Sequence, residues 1–137
     1  MRRHSLKSAV LDSYAVLAFL FREPGHEIVL SLLEKAVDAD RTIFIASPNW
    51  AEIRYMIERK MGLEKWREVR AKLLGLPMEV VEAGLELAES AGRIKAVHRM
   101  SLADCFAAAL AIQKKAEIYT GDPEFHSIES EVKIVWI

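Results

Sequence analysis

The chain has 137 residues, of which 19 are Lys or Arg and 20 are Asp or Glu, so its formal net charge is −1. This near balance excludes a protein-wide positive field, and any surface that binds phosphates must come from local clustering of basic residues. Hydrophobic residues make up 52% of the chain, which predicts a packed core and excludes intrinsic disorder. The length is typical of one domain, and we assign residues 1–137 to a single domain.

The single cysteine, Cys105, excludes an intramolecular disulfide and any metal site built from several cysteines. The longest apolar run, Tyr14 to Phe21, is far shorter than the ~18 residues that suggest a membrane span. The basic N-terminus is followed by an apolar stretch that contains Asp12 and lacks a small-residue cleavage pattern, so no signal peptide is predicted. We therefore expect a cytoplasmic protein with no membrane partner.

Short apolar runs typical of buried strands alternate along the chain with longer stretches of helical periodicity. In chain order we predict a strand at 9–11, a helix at 14–22, a helix with Ile28, Leu32, Leu33 and Ala36 on one face, a strand at 42–46, helices at 47–61 and 63–74, a strand at 79–81, helices at 83–93 and 101–115, and strands at 118–120 and 132–137. This alternation predicts an α/β fold, a three-layer sandwich around a mostly parallel five-stranded sheet.

Several helix ends are predicted from local signals. Ser47 is expected to be the N-cap of the helix at 47–61, with Pro48 as its first helical residue. Gly62 and Gly75 are expected to end the two helices that precede them, and Gly92 is expected to lie near the end of the helix at 83–93.

Four acidic residues are predicted to meet at one edge of the sheet. Asp12 directly follows the first predicted strand, and Asp122 follows the fourth. Glu52 lies one turn inside a helix that starts at a strand end, and Asp104 lies in the first turn of an otherwise apolar helix. Since ligands of parallel sheets bind at the carboxyl ends of the strands, this edge is the expected functional edge.

Each acid also has a purely structural interpretation. Asp12 could cap the following helix, and Asp104 could be the reciprocal partner of Ser101 in a capping box. Asp122 stands in a Gly-Asp-Pro turn, and Glu52 could be a solvated helix residue. These interpretations do not explain why all four acids map to the same edge.

The chain resembles PIN-domain proteins, and within them the VapC-type toxins, over essentially its full length. The segments that carry the resemblance are V-L-D-S-Y-A from Val10, A-E ending at Glu52, S-L-A-D-C from Ser101 and Y-T-G-D-P-E-F from Tyr119. The resemblance implies a sheet with strand order 3-2-1-4-5. It also implies a ribonuclease that is the toxin of a toxin–antitoxin pair, with RNA as substrate, a small antitoxin protein as partner and a homodimeric state.

Carried over residue by residue, the resemblance implies that the metal-binding and catalytic acids are Asp12, Glu52, Asp104 and Asp122. Ser13 takes the place of a hydroxyl residue that follows the first acid, and Glu124 that of a further acid after the last aspartate. Carboxylates without histidine or cysteine suit Mg²⁺ or Mn²⁺. We expect Asp12 and Asp104 to bind the primary ion, Glu52 and Asp122 to complete or bridge the site, and Ser13 or Thr120 to orient a ligand or a water.

Two basic stretches are candidates for contacts with RNA phosphates. The first contains Arg54, Arg59, Lys60, Lys65, Arg67, Arg70 and Lys72, and the second Arg93, Lys95, His98 and Arg99. The competing interpretation is that they form the solvated faces of amphipathic helices. Five large side chains in the same region could be a partner surface or part of the core: Trp50, Tyr55, Met56, Met61 and Trp66.

Two rival functions remain at this point. A phosphoryl-transfer enzyme on a doubly wound sheet, such as a haloacid-dehalogenase-like phosphatase or a receiver domain, lacks its expected pattern here, because Tyr14 stands where the phosphatase needs a second aspartate. A catalytically silent PIN-like module that binds RNA or protein would not need all four acids, since unneutralised like charges destabilise a fold.

Overall fold

The core of the protein, described for residues 6–137 of a computed structural model, is a sheet of five parallel strands. The strands are β1 (Ala9–Leu11), β2 (Ile43–Ala46), β3 (Met78–Val81), β4 (Glu117–Thr120) and β5 (Ile134–Trp136). Their order across the sheet is β3-β2-β1-β4-β5, and each neighbouring pair is parallel. The strand order implied by the resemblance is confirmed.

Helices connect the strands on both faces of the sheet. They are α1 (Ser13–Leu20), α2 (His26–Asp38), α3 (Ser47–Met61), α4 (Leu63–Leu74), α5 (Leu85–Val97) and α6 (Leu102–Lys114), and a 3-10 helix (Pro123–Ile128) follows β4. Within residues 6–137, none of these helices combines the length and the apolar character that crossing a membrane would require.

The two faces of the sheet are covered by separate apolar cores. Ala9 and Leu11 pack with residues of α1 to α4, whereas Val10 packs with residues of α5 and α6. Successive side chains of a strand point to opposite faces, so a strand covered on both sides must be apolar throughout. All three residues of β1 are buried accordingly. The predicted three-layer α/β/α sandwich is confirmed.

The prediction that Ser47 caps α3 is wrong. Strand β2 continues into α3 without a loop, so Ser47 is already helical, and Ala46 holds the cap position without a side-chain hydrogen bond. The Ser47 hydroxyl instead accepts a hydrogen bond from the backbone N–H of Ala83, at 3.0 Å. Pro48 still lies in the first turn of α3, where its missing N–H costs no helical hydrogen bond.

The helix predicted at 83–93 corresponds to α5, which starts two residues later, at Leu85, and ends four residues later, at Val97. Gly92 therefore lies inside the helix, because Leu87, Ala91 and Ile94 continue one buried stripe past it. Strand β5 is shorter than the predicted 132–137, since the backbone N–H of Val132 still bonds to Ile128 in the preceding turn.

Candidate active site

The topology places two acidic residues beside each other at the carboxyl edge of the sheet. Strands β1 and β4 are neighbours, and Leu11 is paired in register with Tyr119. Asp12 follows β1 directly, and Asp122 follows β4 after a single glycine. The two acids that the sequence places at strand ends therefore lie on adjacent strands, as expected.

Asp12 is completely buried, and both of its carboxylate oxygens are hydrogen-bonded. Oδ1 accepts from the backbone N–H of Ala15 at 2.9 Å, so Asp12 is the N-cap of α1. Oδ2 accepts from the hydroxyl of Thr120, and that hydroxyl oxygen accepts from the backbone N–H of Asp122 at 3.0 Å. The capping interpretation is thus confirmed, and Thr120 also links the ends of β1 and β4.

Asp104 is buried at the start of α6, but its carboxylate is not needed to cap the helix. Ser101 is the N-cap, and its hydroxyl accepts from the backbone N–H of Asp104 at 3.2 Å. In a capping box the first-turn acid would reach back to the N–H of the cap residue. Here Glu124 takes that place from the other side of the site, accepting from the Ser101 N–H at 3.0 Å. The Asp104 carboxylate is therefore left available to a ligand.

Three carboxylates come together above the ends of β1 and β4. One oxygen from each of Asp104, Asp122 and Glu124 lies within 4.8 Å of the other two. Asp12 and Glu52 are not part of this group, although the charge of Glu52 acts on Asp12 and that of Asp12 on Asp104. Glu124, expected only as an auxiliary acid, thus lies in the tightest cluster, while the assignment of Asp12 and Asp104 to a primary ion stays a prediction.

Burial and repulsion from neighbouring carboxylates raise the pKa values of Asp12 and Asp104. Burial raises the pKa of Asp12 to about 7, against the hydrogen bonds from Thr120 and Ala15 that lower it, and the charges of Asp122 and Glu52 raise it further. Burial also raises the pKa of Asp104 to about 8, and the charges of Asp12 and Asp122 add to the shift. Without a cation, Asp104 is therefore mostly protonated at neutral pH, and the charged and neutral forms of Asp12 are about equally populated.

The carboxylates of the site are not ion-paired with any basic side chain of residues 6–137. Among the ion pairs formed within residues 6–137, none includes Asp12, Glu52, Asp104, Asp122 or Glu124. Buried like charges of this kind are stabilised when a cation binds among them. An all-oxygen donor set of carboxylates fits Mg²⁺ or Mn²⁺ and not the softer transition metals.

An apolar groove opens beside this acidic edge, between α1 and α3. We call it the α1/α3 groove; its volume is about 720 Å³, and it is lined by Tyr14, Leu17, Phe21, Glu23, Tyr55, Met56, Ile57, Arg59, Lys60 and Met61. The ring of Tyr14 lies against Gly121, the residue before Asp122, so Tyr14 belongs both to the groove and to the acidic edge. Tyr55, Met56 and Met61 are exposed here, whereas Trp66 is buried and meets Trp50 edge to face.

Five of the eleven basic residues in the two basic stretches are paired with a glutamate. The three pairs of the first stretch join residues three or four positions apart on one helix, which favours the interpretation of a solvated helix face for them. Arg93 and His98 instead bind Glu131, which lies outside the helices. The pairs are Arg54 with Glu58, Lys65 with Glu68, Arg67 with Glu64, and Arg93 and His98 with Glu131.

One polar residue near the site was not singled out from the sequence. Asn49 is completely buried in the first turn of α3, one turn before Glu52. Its side-chain Nδ2 donates to the Ser13 hydroxyl at 3.3 Å and to the backbone carbonyl of Ala103 at 3.2 Å. The only sequence signal was an amide in S-P-N-W-A-E, at a position one turn before a candidate ligand.

A family model described as "PIN domain" matches residues 9–131. No curated protein matches the chain in a sequence comparison. Among solved structures, VapBC2 from Rickettsia felis, bound to a DNA fragment from its promoter, superposes with a TM-score of 0.73 at 19% identity, over 93% of this chain and 97% of that one. DNA-bound VapBC from Salmonella typhimurium gives 0.74 at 17%, over 96% and 98%. Mycobacterium tuberculosis VapC20, described as a Sarcin-Ricin loop cleaving toxin, gives 0.65 at 19%, over 87% and 93%.

Proposed function

Since the chain belongs to the PIN-domain family, we propose that it is a metal-dependent ribonuclease that hydrolyses RNA phosphodiester bonds at the acidic edge. The observation that carries the proposal is the cluster of Asp104, Asp122 and Glu124 above two adjacent strand ends. RNA as the substrate class is supported by VapC20, a neighbour of the same fold described as cleaving the Sarcin-Ricin loop.

The residues that would hold Mg²⁺ or Mn²⁺ are Asp104, Asp122 and Glu124, with Asp12 and Glu52 adding negative charge to the same site. A bound divalent ion of this kind lowers the pKa of water and screens the charge that develops on a phosphoryl group.

The chain itself contributes orientation and charge. The hydroxyl of Thr120 holds Asp12 at the end of β1, and Ser13 is fixed beside it by Asn49. The N-terminus of α1 begins at Asp12 and that of α6 at Ser101, so both helix dipoles place partial positive charge at the edge. This charge favours the anionic groups that a carboxylate site and an RNA phosphate bring together.

Purified protein should cleave single-stranded RNA in the presence of Mg²⁺ or Mn²⁺, and excess EDTA should stop the cleavage. A labelled RNA followed on a gel, with metal restored after EDTA, measures this directly. If Mn²⁺ raises the melting temperature but no RNA of varied sequence and structure is cleaved, the protein is the silent binding module instead.

The toxin role is supported by the two neighbouring structures of VapBC toxin–antitoxin complexes. By the same likeness we propose a small antitoxin protein as partner, a homodimer and a cytoplasmic location. The α1/α3 groove is the apolar surface that adjoins the acidic edge, and Arg59 and Lys60 stand on its wall. A partner segment with apolar side chains and an acidic flank would match this groove and cover Tyr14.

Expression of the chain without its antitoxin is expected to slow bacterial growth, because uncontrolled RNA cleavage depletes functional RNA. Asp12→Asn should restore growth at equal protein level, and co-expression of the antitoxin should do the same for the wild type. Growth curves with immunoblots of the expressed protein measure this. Equal toxicity of wild type and Asp12→Asn would point to an effect other than catalysis.

A further inference from the structure

Asn49 is a buried polar residue to which the proposed chemistry assigns only a hydrogen bond to Ser13. Asp12, Ser13, Asn49, Asp104 and Thr120 are the polar or charged residues buried within residues 6–137, and the other four lie in or directly beside the acidic site. The side-chain amide of Asn49 donates to the Ser13 hydroxyl and to the backbone carbonyl of Ala103. The Ser13 hydroxyl in turn donates to the backbone carbonyl of Asn49, at 3.3 Å.

These contacts join the starts of three helices that carry three of the proposed acids. Ser13 follows Asp12 at the start of α1, and Ala103 precedes Asp104 at the start of α6. Asn49 itself lies in α3, on the same helix as Glu52. The partners of the amide are 36 and 54 residues away in the chain, so no local turn or helix brings them together.

Stability alone does not account for an asparagine at this position. Its Oδ1 is buried without a hydrogen-bond partner, and an unpaired buried acceptor costs free energy. Turning the amide over would not help, because Oδ1 would then face the carbonyl oxygen of Ala103. The Ser13 hydroxyl would keep its bond to the backbone carbonyl of residue 49 if the side chain were apolar. A leucine of similar volume would therefore avoid the unpaired atom.

We propose that Asn49 is a positioning residue, whose amide fixes Asp12 and Asp104 relative to each other and so sets the affinity of the acidic edge for a divalent cation. Groups that only orient metal ligands typically change metal affinity or activity by about 10- to 100-fold. The consequence for RNA cleavage rests on the proposed function, whereas the consequence for metal binding does not.

Two variants and a matched control separate positioning from general stability. Asn49→Leu removes both N–H donors at similar volume, and Asn49→Ala removes them without risk of overpacking. Ser47→Ala is the control, because it also deletes a side-chain hydrogen bond from the first turn of α3. That bond goes to Ala83 and not to the helices that carry Asp12 and Asp104.

Metal binding is measured with Mn²⁺, by the loss of the electron paramagnetic resonance signal of the free ion, and folding by thermal melts in EDTA. For both Asn49 variants, the dissociation constant for Mn²⁺ should rise about 10- to 100-fold. The melting temperature of Asn49→Leu in EDTA should stay close to that of wild type or above it. Ser47→Ala should bind Mn²⁺ as wild type does while melting at a lower temperature.

The proposal is overturned if a folded Asn49 variant binds Mn²⁺ within about twofold of wild type, or if Ser47→Ala weakens binding equally. It is also overturned if neither Asn49 variant folds, since Asn49 is then a structural residue, or if wild type binds no Mn²⁺. Cleavage assays separate this inference from the proposed function. At a Mn²⁺ concentration that saturates wild type but not Asn49→Leu, kcat of the variant should fall with KM for RNA nearly unchanged, because the buried Asn49 touches no substrate.

If wild type binds Mn²⁺ but cleaves no RNA, and the Asn49 variants bind the ion more weakly, the proposed function fails and the inference stands. If wild type cleaves RNA and the variants bind and cleave as well as wild type, the inference fails and the proposed function stands.

Discussion

Asp104→Asn should lower the rate of RNA cleavage at least about 100-fold while leaving the fold intact. Mutation of a residue that only orients a metal ligand already lowers activity about 10- to 100-fold, and Asp104 is proposed as a ligand itself. The substitution replaces a charged oxygen with a neutral amide of nearly the same shape. It also spares the start of α6. Ser101 caps the backbone N–H of residue 104, and Glu124 accepts from the N–H of Ser101. Cleavage rates at saturating Mn²⁺ measure the loss.

Melting curves of the same variant test the site without a substrate. In EDTA, Asp104→Asn should be as stable as wild type or more so, because an amide neither takes up a proton on folding nor is buried as a charge among other acids. Added Mn²⁺ should raise the melting temperature of wild type by mass action, and of the variant by less. Asp38→Asn, an exposed aspartate at the end of α2, is the matched control and should behave as wild type. Equal shifts with Mn²⁺, or a markedly unstable metal-free variant, would mean that Asp104 is structural.

The metal-free protein should lose stability as the pH rises from about 5 to about 8. In the unfolded chain Asp12 and Asp104 lose their protons near the ordinary value of 3.8, whereas the folded values are about 7 and about 8. Between these limits the folded state binds more protons than the unfolded state, so the free energy of unfolding falls with pH. The fall begins near pH 4, where the unfolded chain loses these protons, and is complete about one pH unit above the folded values. Its slope is up to about 1.4 kcal/mol per pH unit for each such group.

Urea denaturation in EDTA at several pH values measures this fall. Asp12→Asn should flatten the curve, because the residue that replaces Asp12 no longer titrates. Mn²⁺ should stabilise wild type more at pH 8 than at pH 5.5, since protons compete with the ion for the same oxygens. A free energy of unfolding in EDTA that stays level or rises over this range would contradict the burial of these carboxylates.

The sheet and two of its acids could be predicted from the sequence because local signals determine them. The alternation of short apolar runs and helices requires parallel strands, and Asp12 and Asp122 each follow such a run. Their meeting then depends only on β1 and β4 being neighbours, which the resemblance to PIN domains supplied. Asp104 could be found in the same way, as an acid in the first turn of an apolar helix.

Glu124 and Asn49 could not be placed in this way, because their contacts are long-range. Glu124 reaches Ser101, which lies 23 residues earlier in the chain, and this contact draws its carboxylate into the cluster. Asn49 is defined by partners on two other helices. The prediction that Ser47 caps α3 was wrong for a related reason. The sequence context of Ser47 is that of a cap, but β2 enters α3 without a loop, and the Ser47 hydroxyl serves another segment.

The contact of Tyr14 with Gly121 restricts how the family can vary at these two positions. A Cβ built on Gly121 would overlap the Tyr14 ring, so a larger residue at 121 requires a smaller or displaced side chain at 14. Because Tyr14 also lines the α1/α3 groove, such an exchange would reshape the surface proposed above as the antitoxin site. Positions 14 and 121 should therefore co-vary among close relatives. Under the proposed function, each pairing of residues should also accept its own antitoxin and discriminate against those of related proteins.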